Sequence, residues 1–346
     1  MRRPPTLAIV GGMLGAGKTT LILEAARRLQ SRGLRAAIVT NDQGGGLVDT
    51  ALAEAAGVPA GEVAGGCFCC RLSHLVAAAD GLRTASPDVI FAEPVGSCLD
   101  LAATVVRPLM RDDPGRFTLA PLTVLVDPAR ARGVADAPPD SHLAFLFAHQ
   151  LAEADLVCFT KADCAQPPAL PGMAGHAISA RSGLGVDAWL DMLLAGATPP
   201  GAAVMAVDYA RYAEAEAALA WLNWRVRLEL PAPEPPIVIV GRLMDAMDES
   251  LRAAGMAAAH VKVLDQAPTG WLRASLTALG QDPQVDGARD ASPAVRHDLL
   301  VNARAFGDPE TLSAIVGAAL ALVGGVATVE RAEAFRPAPP QPERRA

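Results

Sequence analysis

An unbroken Gly12-Met13-Leu14-Gly15-Ala16-Gly17-Lys18-Thr19 stands between a short apolar run, Leu7 to Val10, and an amphipathic stretch, Lys18 to Ser31. Every fixed position of the G-x-x-x-x-G-K-[ST] phosphate loop is present, in the strand–loop–helix setting such a loop requires. The first part of the chain is thereby committed to a mostly parallel α/β sheet. The glycines let backbone N–H groups turn inward around phosphate oxygens, and the positive end of the following helix adds to that field. Lys18 is placed to reach the β/γ phosphates. Thr19 would put its hydroxyl on Mg²⁺, whose shell is shared with phosphate and water. The predicted phosphate-binding set is Gly12, Gly15, Ala16, Gly17, Lys18, Thr19 and Thr20.

The downstream rhythm agrees. Runs without period-two alternation recur at Ala36 to Thr40, Val89 to Ala92, Thr123 to Val126 and Leu156 to Phe159, as strands covered on both faces should. Helices are expected from Leu72 to Arg83 and from Val186 to Leu194. A length of 346 residues suits two domains, and the small residues and prolines at Gly196 to Gly201 mark a linker. The predicted division is a P-loop domain at 1–195, a linker at 196–220, an α+β domain at 221–335 and a disordered tail at 336–346. In the second domain, strands are expected at Trp224 to Leu230, Ala259 to Leu264, Trp271 to Thr277, Arg296 to Ala303 and Val326 to Ala332. Helices fall at Ile237 to Ala254 and Pro309 to Val323. This β-α-β-β-β-α-β order is similar to the ferredoxin-like arrangement, with helices on one face of a small sheet.

Composition narrows the partners. A formal charge of −7 argues against a nucleic-acid binder held by a basic face. The basic start precedes an apolar run too short for an export signal. The uncharged stretch Thr311 to Val329 is built from small residues and broken by Gly324-Gly325, so a helix followed by a strand is expected there, and no membrane span. Six cysteines, three of them within four residues, suggest reduced, metal-binding thiols in a cytoplasmic protein.

Base identity is read from Thr160-Lys161-Ala162-Asp163, at the end of the Leu156 to Phe159 strand, which resembles an N/T-K-x-D guanine motif. A carboxylate at Asp163 can accept from both the ring N–H and the exocyclic amine of guanine, whereas adenine offers the wrong pattern. The expected nucleotide is GTP, with Ser179-Ala180 closing over the base. Glu93, heading Glu93-Pro94-Val95-Gly96, sits at a carboxyl end of the sheet, where it could hold Mg²⁺. Gly96 offers a backbone N–H near the γ-phosphate. Asp42, just past Thr40, reaches the same edge and could bind Mg²⁺ or orient the attacking water. The expected catalytic residues are thus Lys18, Asp42 and Glu93. Asp127-Pro128 is explained by a helix cap and is left out.

Gly65-Gly66-Cys67-Phe68-Cys69-Cys70 is the second informative motif. Three thiols in four residues can converge on one soft or borderline cation, Zn²⁺ or Co²⁺, and leave a ligand position open. Cys67, Cys69 and Cys70 are the expected ligands, with His74 or Cys98 as alternatives for completing the set. Cys158, inside an apolar strand, is read as packing.

In that order GGMLGAGKTT, GGCFCC, EPVG, QLAEAD and TKAD resemble the CobW-type GTPases, relatives of the urease- and hydrogenase-maturation GTPases. The similarity covers roughly residues 6 to 190. It implies a SIMIBI-type P-loop fold, Mg²⁺-dependent GTP hydrolysis and metal carried on Cys67, Cys69 and Cys70, with release coupled to nucleotide state. The implied partner is a client metalloprotein or a cobalamin-related enzyme, and homodimerisation is left open. The chain departs from the family in Asn41-Asp42-Gln43-Gly44, in Thr160 where Asn is usual, and in lacking a histidine-rich tract. Two readings stand beside metal delivery: a nucleotide-switched adaptor gating a corrinoid enzyme, and an ATP-dependent small-molecule kinase or ligase.

Overall fold

The non-alternating runs form the covered strands of a parallel sheet in the computed structural model, which describes residues 3–45, 47–166 and 174–346. Up to residue 217 the elements are β1 (Thr6–Gly12), α1 (Lys18–Ser31), β2 (Ala36–Asn41), α2 (Val48–Ala55), β3 (Ala60–Val63), α3 (Leu72–Gly81) and β4 (Val89–Glu93), then α4 (Arg107–Asp112), β5 (Thr118–Leu119), β6 (Thr123–Val126), α5 (Pro128–Ala135), α6 (His142–Ala152), β7 (Leu156–Phe159), β8 (His176–Ala177), α7 (Val186–Ala195) and α8 (Tyr209–Ala217). The sheet runs β3-β2-β4-β1-β6-β7-β8, with β5 beside β1. Its pairings are parallel. Their carboxyl ends therefore share one edge, the place where open α/β sheets bind ligands. Ile22, Leu29, Phe91 and Trp189 are fully buried in the core beneath it, and Phe91 stacks on Trp189 at 6.1 Å between ring centroids.

The remaining elements are β9 (Leu219–Glu234), α9 (Pro236–Ala253), β10 (Ala258–Ala267), β11 (Gly270–Leu276), β12 (Gln284–Gly287), β13 (Ala294–Phe306), α10 (Pro309–Val323) and β14 (Val326–Phe335). They build an antiparallel sheet ordered β12-β11-β10-β13-β9-β14. Taken alone, β14-β9-β13-β10 with α9 and α10 as crossovers is the split βαβ arrangement that the sequence predicts. Hairpin β11–β12 is inserted after β10 and widens that edge. Strand β12 escapes sequence reading because it is four residues long and contains Asp286 and Gly287. The core joins Leu222, Val226 and Leu228 to Ile239 and Leu243 of α9 and to Leu312 and Val316 of α10. Among the described residues no helix is long and apolar enough to cross a membrane.

The chain divides into one unit of Met1–Gln43, Asp49–Ala215 and Pro339–Ala346, and a second of Gly44–Val48 and Glu216–Ala338. Within the second unit the Val48 N–H donates to Asn302 Oδ1 at 2.9 Å, and the Gly45 N–H donates to Glu333 Oε2 at 3.2 Å. A Cβ on Gly44 would stand 2.4 Å from Asn223 Nδ2 and 2.7 Å from Glu333 Oε2, so a larger residue here would displace those side chains.

Two segments differ from the sequence expectation. The 196–220 linker contains α8, because Tyr212 and Ala215 lie three residues apart and are fully buried. The 336–346 tail, expected to be disordered, is instead held by backbone and side-chain hydrogen bonds that include Glu343 to Ser73 and Arg345 to Asp100. Composition marks it as solvated, and only tertiary structure supplies partners for its charges.

Inside the second unit His297 and Asp265 are both completely buried, with Nδ1 and Oδ2 2.6 Å apart. Removing one partner strands the other in a dry core, which costs about 3–5 kcal/mol. His297→Ala should lower stability on that scale in urea denaturation followed by tryptophan fluorescence, with Trp221 and Trp224 as reporters in the same unit.

Candidate nucleotide and thiol site

The phosphate loop leaves β1 and enters α1 through Gly17, whose φ of 90° lies in the left-handed region that favours glycine. No side chain caps α1 and no acid lies in its first turn, which leaves its positive end available to an anion. The Lys18 ammonium is buried and donates to Gly12 O at 3.0 Å and Met13 O at 3.4 Å, so it already points into the loop it would share with phosphate. Next to it, Thr19 Oγ1 lies 2.8 Å from Asp49 Oδ1 and 2.9 Å from Glu93 Oε1. One hydroxyl and two carboxylates at hydrogen-bond range form a hard-oxygen donor set of the kind Mg²⁺ takes.

Glu93 thus stands where the sequence places it. Asp49, at the start of α2, was missed because nothing in the run Val48-Asp49-Thr50 distinguishes it from a helix-start acid. Asp42 directly follows β2, its N–H bonded to Val63 O at 3.1 Å. Gly96 lies against the phosphate loop, and a Cβ there would come within 2.7 Å of Leu14 N. The loop after β4 can close on the phosphate loop only with glycine at this position.

At the base end, Lys161 has a φ of 55° and its Nζ pairs with Asp127 Oδ2 at 2.7 Å. Asp127 also caps α5 through the Ala129 N–H at 2.8 Å. Its capping role is as expected, and its second oxygen, unforeseen, orients the lysine of the guanine motif. A hydrogen bond from Ser179 is the main reason the Asp163 carboxyl is held below its usual range. The Ala162 N–H reaches Ile178 O at 3.2 Å, which joins the Thr160–Asp163 loop to Ser179-Ala180.

The motif QLAEAD explains itself in three dimensions. Gln150 is buried, and its amide donates to Gly96 O at 2.9 Å and Cys98 O at 3.2 Å. Glu153 Oε2 accepts from Ala102 N–H at 3.1 Å, while Asp155 accepts from the N–H groups of Leu122, Gly201 and Ala202. Leu99 N–H donates to the Tyr212 hydroxyl at 3.1 Å. The loop from Gly96 to Ala102 is therefore fixed by side chains from α6 and α8.

The thiol loop hangs from the end of β2. Asn41 Nδ2 donates to Val63 O at 2.9 Å and Gly66 O at 2.7 Å, and Asn41 Oδ1 accepts the Phe68 N–H at 2.9 Å. Cys67, Cys69 and Cys70 converge, with their sulfur atoms all within 4.8 Å of one another. The Cys67–Cys70 and Cys69–Cys70 separations are 3.4 Å and 3.6 Å. Those values approach the edge of about 3.8 Å expected for a tetrahedron with Zn–S near 2.3 Å. Hydrogen bonding to Cys67, together with burial, pushes the Cys70 thiol up to about 11. Cys98 interacts with both Cys67 and Cys69 but, like His74, which is exposed on α3, it stands outside the group of three converging sulfurs. Cys158 is buried in β7 as packing.

Burial raises the Glu153 carboxyl to about 8. The folded form therefore holds a proton that the unfolded chain has released once pH passes the ordinary carboxylate value, so this residue makes stability fall between pH 4.5 and 8. Glu153→Gln should flatten that decline and leave the variant more stable than the parent at pH 8, as measured by urea titrations across the range.

The family model described as CobW/HypB/UreG, nucleotide-binding domain, matches residues 6–177. Among solved structures the chain is similar to HypB from Helicobacter pylori in complex with nickel. The identity is 17% and the TM-score 0.40, over 56% of this chain and 87% of that one. It is also similar to the Zn(II)-bound YjiA GTPase from E. coli, at 16% identity and a TM-score of 0.33, over 93% of this chain and 100% of that one. No curated protein matches the chain.

Proposed function

Because residues 6–177 belong to the CobW/HypB/UreG family of nucleotide-binding domains, we propose that this P-loop GTPase is a metallochaperone that carries Zn²⁺ or Co²⁺ on its thiol loop and hands it to a client protein. The observation that carries the reading is the convergence of three thiols on a loop whose support, Asn41, ends a strand of the nucleotide-binding sheet.

On this reading the phosphates lie in the Gly12–Thr20 loop, with Lys18 turned from Gly12 O and Met13 O toward the β/γ oxygens. Thr19, Asp49 and Glu93 hold Mg²⁺, which when bound neutralises charge that develops on the phosphate oxygens. Gly96 presents its N–H at the γ-phosphate, and Asp42 orients the attacking water. Guanine is read by Asp163, with Thr160, Lys161, Ser179 and Ala180 shaping the pocket. An ionised Asp163 matches the ring N–H and exocyclic amine of guanine and no such donor pair of adenine, which weighs against the ATP kinase or ligase reading.

Cys67, Cys69 and Cys70 bind the cargo as thiolates, and Cys98 supplies the fourth sulfur. Cys98 lies on the loop that begins at Glu93 and passes Gly96, so γ-phosphate loss and metal release act on one segment. A corrinoid-enzyme adaptor would need the same nucleotide switch but no metal stoichiometry.

Two measurements test this. A Cys67→Ala, Cys69→Ala double variant should lose stoichiometric, tight Zn²⁺ or Co²⁺ binding and keep GTP hydrolysis within about threefold of the parent. Affinity that survives both substitutions would move the cargo site elsewhere. For the nucleotide site, Asp49→Ala should raise the Mg²⁺ concentration needed for half-maximal GTP turnover by about tenfold or more, in a titration at saturating GTP. An unshifted Mg²⁺ dependence would remove Asp49 from the shell.

A further inference from the structure

Residues at the end of the sequence lie across the thiol loop. The Gln341 N–H donates to Cys70 Sγ at 3.1 Å, and the Glu343 N–H donates to Cys69 O at 3.2 Å. The Glu343 carboxylate accepts both the N–H and the hydroxyl of Ser73, each at 2.8 Å. Ser73 sits in the first turn of α3, a helix whose own N-cap residue supplies no side-chain hydrogen bond. A distant carboxylate therefore satisfies a donor that helix geometry leaves open, and it complements the positive end of the helix.

The next residues anchor this segment to a second loop. Arg345 Nε donates to Asp100 Oδ2 at 2.7 Å, and its NH2 group donates to Met205 O at 2.6 Å. Asp100 is buried and also accepts the Tyr209 hydroxyl at 2.6 Å. Arg344 reaches Asp112 at 3.0 Å, and the Ala346 N–H reaches Ala103 O at 2.8 Å. Prolines at 337, 339, 340 and 342 pre-set an extended backbone, which lowers the entropy lost on docking.

We propose that residues 339–346 form a strap over the thiol site, latched by Glu343 on Ser73 and by Arg345 on Asp100, which must lift before cargo metal enters or leaves. The proposal rests on the metal-carrying reading of Cys67, Cys69 and Cys70. Cys67 and Cys69 are buried and Cys70 is the half-buried member of the three, so the strap lies on the thiol that reaches the surface. An N–H aimed at a metal-bound sulfur also withdraws charge from it and steadies the site, as outer hydrogen bonds to metal ligands do. Through Asp100 the latch holds the same loop that carries Gly96 and Cys98, which gives that loop a hold on the strap.

The test uses the 346-residue chain loaded with Zn²⁺ and a Glu343→Ala, Arg345→Ala double variant. In the variant, zinc should pass to a competing chelator at least tenfold faster, and hydrogen exchange should accelerate at Ser73 and across 341–346, with GTP affinity unchanged. A chain ending at Ala338 should release zinc as fast and exchange the Ser73 amide as fast, which covers the case in which the double variant folds poorly. Faster exchange at these amides with zinc loss at the parent rate would overturn the gate. Unchanged protection in both variants would overturn the latch. A parent protein that retains neither zinc nor cobalt would instead refute the metal reading itself, a result visible without any strap variant.

Discussion

Two carboxylates, Asp49 and Glu93, both reach the hydroxyl of Thr19, at 2.8 Å and 2.9 Å. This shared hydroxyl fixes the relation of three elements: α1 through Thr19, α2 through Asp49 and β4 through Glu93. The rest of the nucleotide site is ordered around this point. Gly96 follows Glu93 so closely in the chain that its loop must press on Leu14, where only a residue without Cβ fits. Gln150 then holds that loop by its carbonyls, and Tyr212 holds it by the Leu99 N–H.

The thiol loop stands on the same supports. Asn41 ends β2, and its single amide satisfies Val63 O, Gly66 O and the Phe68 N–H. A buried side chain with its hydrogen bonds filled in this way rigidifies what it joins. Cys98, on the segment that follows Glu93, interacts with Cys67 and Cys69.

Much of this was legible before any coordinate. The phosphate loop, the covered strands at Thr123–Val126 and Leu156–Phe159, and helix Lys18–Ser31 fall where the pattern places them, because period and flanking glycine report backbone geometry directly. The antiparallel sheet was legible in outline, down to its crossover helices, but not in the short strand Gln284–Gly287. Three features stayed hidden for a common reason. Asp49 looks like any helix-start acid, Gln150 like any helix glutamine, and Glu343 and Arg345 like charges in a proline-rich tail. Each acts on a partner far away in sequence, and no local pattern encodes that partner.

The sequence by itself determined the fold class, the phosphate loop, the guanine motif and the presence of three clustered thiols, since each depends on residues within a few positions of one another. Tertiary structure alone decided which acid joins Glu93 at Thr19, that Asp127 steadies Lys161, that Cys98 interacts with Cys67 and Cys69, and that residues 341–343 lie against the thiol loop. Those outcomes depend on where strand ends and loops meet across the sheet edge. That meeting is set by packing of the whole core, and short-range spacing carries no record of it.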